Sequence, residues 1–101
     1  MIDSLPNRCV IAGELIELEP MRYTPAGVPR VALKIRHASS QQEAGMTRQL
    51  QSDIPAVALG EAALQASRFR LGQVVKASGF LAQRSLKSSQ LVLHIDNIIL
   101  N

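Results

Sequence analysis

The chain has 101 residues, a size that accommodates one hydrophobic core and predicts a single domain over residues 1–101. Hydrophobic residues make up 47% of the chain and charged residues 19%, and no apolar run is long enough for a transmembrane helix. The formal net charge of +3 does not by itself indicate a polyanionic partner.

The N-terminal segment, residues 1–7, contains Asp3 and Pro6 and lacks the apolar stretch of a signal peptide. One cysteine, Cys9, cannot form an internal disulfide bond. Because proteins of reducing compartments keep their thiols free, we expect a cytoplasmic protein that does not act at a membrane.

The remaining chain is predicted to form five strands and one short helix, from the spacing of its apolar residues. The strands are expected at residues 8–18, 30–37, 46–59, 73–82 and 91–100. The helix is expected at residues 60–69, between the third and fourth strands, with Leu64 facing the core. Gly13 and Gly79 lie inside predicted strands, where glycine indicates a bend or a bulge.

Three segments between these elements are predicted to be loops. Residues 20–29 contain Pro25, Gly27 and Pro29, which are typical turn residues. Residues 38–45 are polar and have no bulky side chain, so they are expected to form a long exposed loop. Residues 84–89 form a polar loop that carries Arg84 and Lys87.

Apolar and basic residues alternate along the second predicted strand and therefore fall on opposite faces. The inward residues are Val31, Leu33 and Ile35, and the outward cations are Arg30, Lys34 and Arg36. Core packing does not require three cations on one face. The pattern therefore predicts an acidic ligand that lies across this strand.

Charge is also segregated along the chain. Residues 20–42 hold four cations and no acid, residues 62–95 hold five cations and no acid, and together they contain nine of the eleven basic residues. This distribution predicts a positive surface built from two separate segments. Solvated strand faces with chance clustering would explain the same counts equally well.

Five strands with a helix between the third and fourth is the element order of the OB-fold, an all-β Greek-key barrel. OB-folds bind oligonucleotides or oligosaccharides on strands two and three and on the loops that flank them. The two basic segments coincide with these positions, since they hold the first loop, the second strand and the loop between strands four and five. Topology and charge together predict a nucleic-acid-binding barrel.

The sequence motifs carry a resemblance to a known family. Residues 22–29, RYTPAGVP, resemble the first hairpin loop of bacterial single-stranded-DNA-binding proteins, and the whole chain resembles the PriB family, primosomal replication protein N. Further matching motifs are Asn7-Arg8, Gln42-Glu43-Ala44-Gly45, Ile54-Pro55, Gly79-Phe80 and Leu93-His94.

The resemblance implies a homodimer that binds single-stranded DNA in the replication-restart primosome, together with the PriA helicase and, in some bacteria, DnaT. It implies DNA contacts at the positions Arg22, Arg36, Arg48, Arg84 and Lys87. The alternation described above adds Arg30 and Lys34 to this set. Both faces of the first predicted strand are apolar, which independently predicts an isologous dimer interface there.

The aromatic residues depart from the family pattern. Residues 46–51, on the third strand, contain no ring that could stack on a base. Because stacking contributes about 1–3 kcal/mol per base, we expect weaker and more electrostatic binding. Tyr23 is the candidate substitute, although a ring that packs on Pro25 or Pro29 is an equally good interpretation. Phe80 is assigned to packing, and His94 to an ordinary surface position.

No motif predicts an enzyme, a cofactor or a metal site: the glycines are scattered, and the histidines and carboxylates lack ligand spacing. One alternative function remains open. An OB-fold protein-interaction module could use the same cations to recognise an acidic partner protein, with nucleic-acid binding secondary, and the missing aromatics favour this alternative.

Overall fold

A computed structural model describes residues 5–101 of the chain. Its elements, in chain order, are β1 (Cys9–Leu18), β2 (Arg22–Tyr23), β3 (Pro29–Glu43), β4 (Met46–Leu59), α1 (Glu61–Ala66), β5 (Val74–Gln83) and β6 (Leu91–Leu100). The prediction for residues 1–7 falls in part on residues 1–4, which lie outside the described part of the chain.

The strands pair in the order β1-β5-β6-β4-β3, and β1 also pairs with β3, which closes a five-stranded barrel. All of these pairs are antiparallel except β4 with β6. The two-residue strand β2 extends the edge of β3 and does not belong to the barrel. The predicted all-β OB-fold barrel, with one short helix between its third and fourth strands, is confirmed.

The core lies inside this barrel. Leu15, Val31, Ile35, Val75 and Leu93, from four different strands, are the largest fully buried side chains. The alternation predicted for residues 30–36 is confirmed, because the three apolar side chains of this segment are buried and its cations lie on the outer face. Burial of the apolar side chains fixes which face of β3 carries the cations, since successive side chains point to opposite faces.

The helix is shorter than predicted and presents a different face to the core. It spans Glu61–Ala66, and its buried residues are Ala62, Ala63 and Ala66. The prediction that Leu64 faces inward is wrong, because this side chain is exposed. The small alanine side chains let the short helix lie close to the barrel, so that the larger Leu64 falls on the solvent side.

The predicted long loop at residues 38–45 is wrong. β3 continues to Glu43 and β4 begins at Met46, so the two strands form a hairpin arm joined only by Ala44 and Gly45. Both turn residues have positive φ, 52° and 77°, as a two-residue hairpin turn requires. Nearly all of the arm beyond His37 is solvent-exposed on both faces. No apolar alternation was therefore available to mark residues 38–43 as strand.

Ala44 adopts a backbone conformation that costs an ordinary L-residue about 1–2 kcal/mol, whereas asparagine tolerates it and is favoured in such turns. We expect Ala44→Asn to raise the free energy of unfolding by about 1 kcal/mol. Urea denaturation followed by circular dichroism measures this change. Ala26→Asn is the control, because Ala26 lies in a turn but does not itself have a positive φ, so the substitution should bring no gain. Equal stabilisation by both variants would contradict the assignment.

Two bulges shape the barrel. In β1 the register shifts between Leu15 and Glu17, so the predicted irregularity at Gly13 lies three residues later, at Ile16. The second bulge adjoins Gly79, as predicted, and Asp96 on β6 is its extra residue. A Cβ atom at position 79 would overlap the carbonyl oxygen of His94, so glycine is required for β5 and β6 to approach this closely.

Candidate nucleic-acid interface

An open groove of about 450 Å³ runs across the outer faces of β3, β4 and β6. Its polar lining residues are Glu17, Glu19, Arg30, Lys34, Arg84 and His94. Ala32, Pro55, Val57 and Leu59 form most of its apolar floor. We call this the cationic groove. It lies between the loop that contains β2 and the loop between β5 and β6, which is where OB-folds bind their ligands.

The cationic groove brings together cations that are distant in the sequence. Arg30 and Lys34 lie on β3, whereas Arg84 follows the end of β5. Arg84 is held in place by Gln90, because its Nε donates a hydrogen bond to the Gln90 side-chain oxygen at 2.8 Å. The guanidinium therefore has two further nitrogens with which it can bind an anion such as a phosphate.

The surface is less purely positive than the charge distribution along the sequence indicated. Glu17, on the neighbouring strand β1, pairs with Lys34 at 2.9 Å, and Glu19 lines the same groove. The segments are free of acids along the chain but not in space, because strand pairing places acids from β1 beside the cations of β3. Exposed ion pairs of this kind contribute little to stability and can be exchanged for a phosphate.

Arg36 and Arg48 also have carboxylate partners. Arg36 makes a two-pronged contact with Asp53 of β4, at 2.8 and 3.0 Å, and this hydrogen bonding holds the pKa of the Asp53 carboxyl below its usual range. Arg48 pairs with Glu43 across the hairpin arm at 2.7 Å. Arg36 lines a different groove from Arg30 and Arg84. The structure therefore separates it from the cationic groove.

The other predicted site residues lie at the margins. Arg22 is directly opposite Arg30 across β2 and β3, and Tyr23 is opposite Pro29 with 65% of its surface exposed. Lys87 is exposed in the loop between β5 and β6. Among residues 5–101, the four ion pairs do not involve Arg22, Arg30, Arg84 or Lys87, so of the predicted site cations these four are the most available to an external anion.

Comparison with known proteins assigns the chain to a family. Residues 7–97 match the model of a family described as another single-strand binding protein family. Replication restart protein PriB of Nitrosomonas europaea is 39% identical over 88% of this chain and 82% of its own length, and PriB of Neisseria meningitidis serogroup B is 42% identical over 91% and 92%. The chain belongs to the PriB family. The predicted resemblance is confirmed.

The PriB fold is also matched by a solved structure. PriB from Ralstonia solanacearum is 37% identical, with a TM-score of 0.86, and the match covers 96% of this chain and 99% of that one. No helix among the described residues is long and apolar enough to cross a membrane. Residues 5–101 also contain no group of three histidine, cysteine or acidic side chains that could hold a metal ion.

This PriB-family chain carries two candidate site residues that sequence analysis missed. Phe80 was assigned to packing, but it is 43% exposed and its ring stacks on His94. His94 lines the cationic groove and was interpreted only as a surface residue. The signal that could have found them is positional, because both residues occupy outward positions on adjacent strands, beside the inward residues Gly79, Leu93 and Ile95.

Proposed function

We propose that this PriB-family protein binds single-stranded DNA during replication restart, and that the cationic groove holds the sugar–phosphate backbone. One observation carries the proposal. Arg30 and Arg84, which are 54 positions apart in the chain, line one groove at the ligand-binding position of an OB-fold. Two arginines that converge from separate segments, without an ion-pair partner among the described residues, suit a polyanion that crosses both segments.

Binding on this surface is mainly electrostatic. Each phosphate that meets an arginine releases condensed counterions, and this release drives association at low salt. The protein would act by binding and not by catalysis, and it would need no cofactor or metal ion. By analogy with its family we infer a cytoplasmic protein that works with PriA and, where the organism has it, with DnaT.

Fluorescence anisotropy with a labelled homopolymeric oligonucleotide tests this function. The logarithm of affinity should fall linearly with the logarithm of salt concentration, by about 0.7 for each phosphate neutralised. A duplex of the same length is the control. The proposal would be wrong if affinity for the single strand is independent of salt, or if the duplex binds as tightly as the single strand.

The ion pair with Asp53 limits how much Arg36 can contribute to DNA binding. Asp53→Asn should free the guanidinium for a phosphate, since the carboxylate is its ion-pair partner. The salt slope should steepen by about 0.7, which is about a fivefold gain in affinity at 0.1 M salt. The double variant Asp53→Asn with Arg36→Ala is the control, because it removes the same carboxylate from a protein that has no Arg36 guanidinium to free. Identical slopes in the two variants would exclude Arg36 from DNA contact.

We further propose that the protein is a homodimer that associates through β1. Residues 9–13 pair with β5 on one side, while on the other side β3 pairs with β1 only from Glu14 onward and the His37 ring contacts the Ala12 carbonyl, so the edge of residues 9–11 is open among the described residues. Val10 lies in this segment and is 59% exposed. An open strand edge beside an exposed apolar side chain favours pairing with a second copy about a two-fold axis.

Sedimentation equilibrium at micromolar concentration is expected to give twice the 11.0 kDa mass of one chain. Val10→Lys should weaken the association, because it places a charge beside the open edge of each copy. Leu71→Lys, at an exposed position in the turn before β5, should leave the mass unchanged. A wild-type mass of a single chain would rule out the dimer.

A further inference from the structure

We propose that the stacked rings of Phe80 and His94 form a base-binding subsite, on which one nucleobase of a bound single strand stacks. The inference rests on the proposed function and extends it. The cationic groove holds phosphates, whereas this subsite holds a base and supplies the stacking surface that β4 lacks.

The two rings form a preorganised pair. Phe80 on β5 lies directly opposite His94 on β6, and their rings are stacked with centroids 5.1 Å apart and planes 11° from parallel. Gly79 allows this geometry, because a side chain at that position would overlap the carbonyl oxygen of His94. Phe80 remains substantially exposed, so packing within the chain does not account for its whole ring.

The ring pair lies at a second groove that adjoins the cationic groove. This second groove has a volume of about 290 Å³, and Val57, Leu59 and His94 line both grooves. A strand of nucleic acid that follows Arg30 and Arg84 in the first groove therefore has the second groove directly beside it. A nucleotide held by its phosphate in the first groove can turn its base into the second.

The charges of the second groove favour a base over a phosphate. Within residues 5–101 its lining contains the carboxylates of Glu61 and Asp96 and no lysine or arginine. Arg8 balances the charge of Asp96 by forming an ion pair with it, but Glu61 has no such partner among the described residues. Phosphate is therefore repelled from this groove, while a neutral aromatic base is not.

Base stacking suits the apolar floor and the rings of this groove. Every base has a π-face, so an aromatic platform binds single strands with little sequence preference, and desolvation of the base adds to the attraction. Stacking releases no counterion. The subsite should therefore contribute to affinity without contributing to its salt dependence, in contrast to the arginines of the cationic groove.

The test uses two substitutions of Phe80 and anisotropy titrations with an oligothymidine. Phe80→Leu retains apolar bulk but removes the ring, and it is expected to lower affinity by roughly 5- to 150-fold with an unchanged salt slope. Phe80→Trp introduces the only tryptophan of the chain, and its fluorescence should be quenched by the bound strand. Ile99→Trp is the matched control, at a similarly exposed position at the far end of β6, and should not be quenched.

The outcomes separate the subsite from the proposed function. If the wild type binds with the expected salt slope, but Phe80→Leu binds equally tightly and the Phe80→Trp fluorescence does not change, the subsite is wrong and the proposed function stands. If the wild type shows no salt-dependent binding, both are wrong. Should Phe80→Leu fail to fold, the fluorescence of Phe80→Trp alone decides, because tryptophan keeps an aromatic ring at the position opposite His94.

Discussion

Replacing both Arg30 and Arg84 with alanine is expected to lower affinity for single-stranded DNA by about 25-fold at 0.1 M salt. Each lost phosphate contact removes about 0.7 from the salt slope, so the double variant should be less steep by about 1.4. The effect should be similar for oligonucleotides of different base composition, since phosphate contacts carry no sequence information. Anisotropy titrations at four salt concentrations give both quantities.

The control for this experiment is a second double variant with the same change in charge. Arg68 and Arg70 follow α1, are exposed, and do not line the cationic groove. Their replacement with alanine should change affinity only slightly, through the net charge. Equal losses in the two double variants would mean that overall charge, and not the groove, determines binding.

Leu93→Ala is expected to lower the free energy of unfolding by about 2–5 kcal/mol. Leu93 is fully buried on β6, which pairs with both β4 and β5, so surrounding strands limit how far the cavity can close. Chemical denaturation at a fixed protein concentration measures the change, because association with a second copy would add to the apparent stability.

Leu86→Ala is the matched control for the core substitution. It is the same change of side chain, but Leu86 is fully exposed in the loop between β5 and β6. Its effect on the free energy of unfolding should stay within about 0.5 kcal/mol. A loss below about 1 kcal/mol for Leu93→Ala would contradict the assignment of this residue to the centre of the barrel.

The barrel itself could be predicted because burial imposes a period on its strands. In the first half of β3 each inward residue is apolar and packs in the core, and the sequence records this alternation directly. Residues 38–43 of the hairpin arm could not be found in this way, since they are largely exposed on both faces, whereas residues 46–51 were predicted as part of the third strand. In the sequence the hairpin turn is indicated only by the pair Ala44-Gly45 between two polar segments of equal length. This indication is weak because alanine rarely adopts positive φ.

The candidate site could be predicted only in part, because charge along a chain does not report which strands become neighbours. Lys34 and Arg36 lie in a segment without acids, yet the pairing of β3 with β1 and β4 places Glu17 and Asp53 beside them. Counting charges by segment therefore overestimated the free positive charge. The convergence of Arg30 and Arg84 followed from the OB-fold topology and not from their spacing.

The role of Phe80 could not be predicted from the sequence either. A single phenylalanine after a glycine in an apolar strand usually packs in the core, and alternation along β5 indicates only its outward position, not the ring and the groove beside it. Its surroundings are His94, which lies directly opposite on β6, and the groove residues Val57 and Leu59, which lie on β4. Only the assembled sheet brings these residues together.

The central claim, that single-stranded DNA lies across the outer faces of β3, β4 and β6, is tested most directly by NMR. Addition of an oligothymidine to isotope-labelled protein should shift the backbone amide signals most strongly in residues 30–34, 56–59 and 84–94. Residues 74–77, on β5 away from the cationic groove, should change little. Large shifts confined to residues 74–77, with none along residues 30–34 or 84–94, would contradict the account.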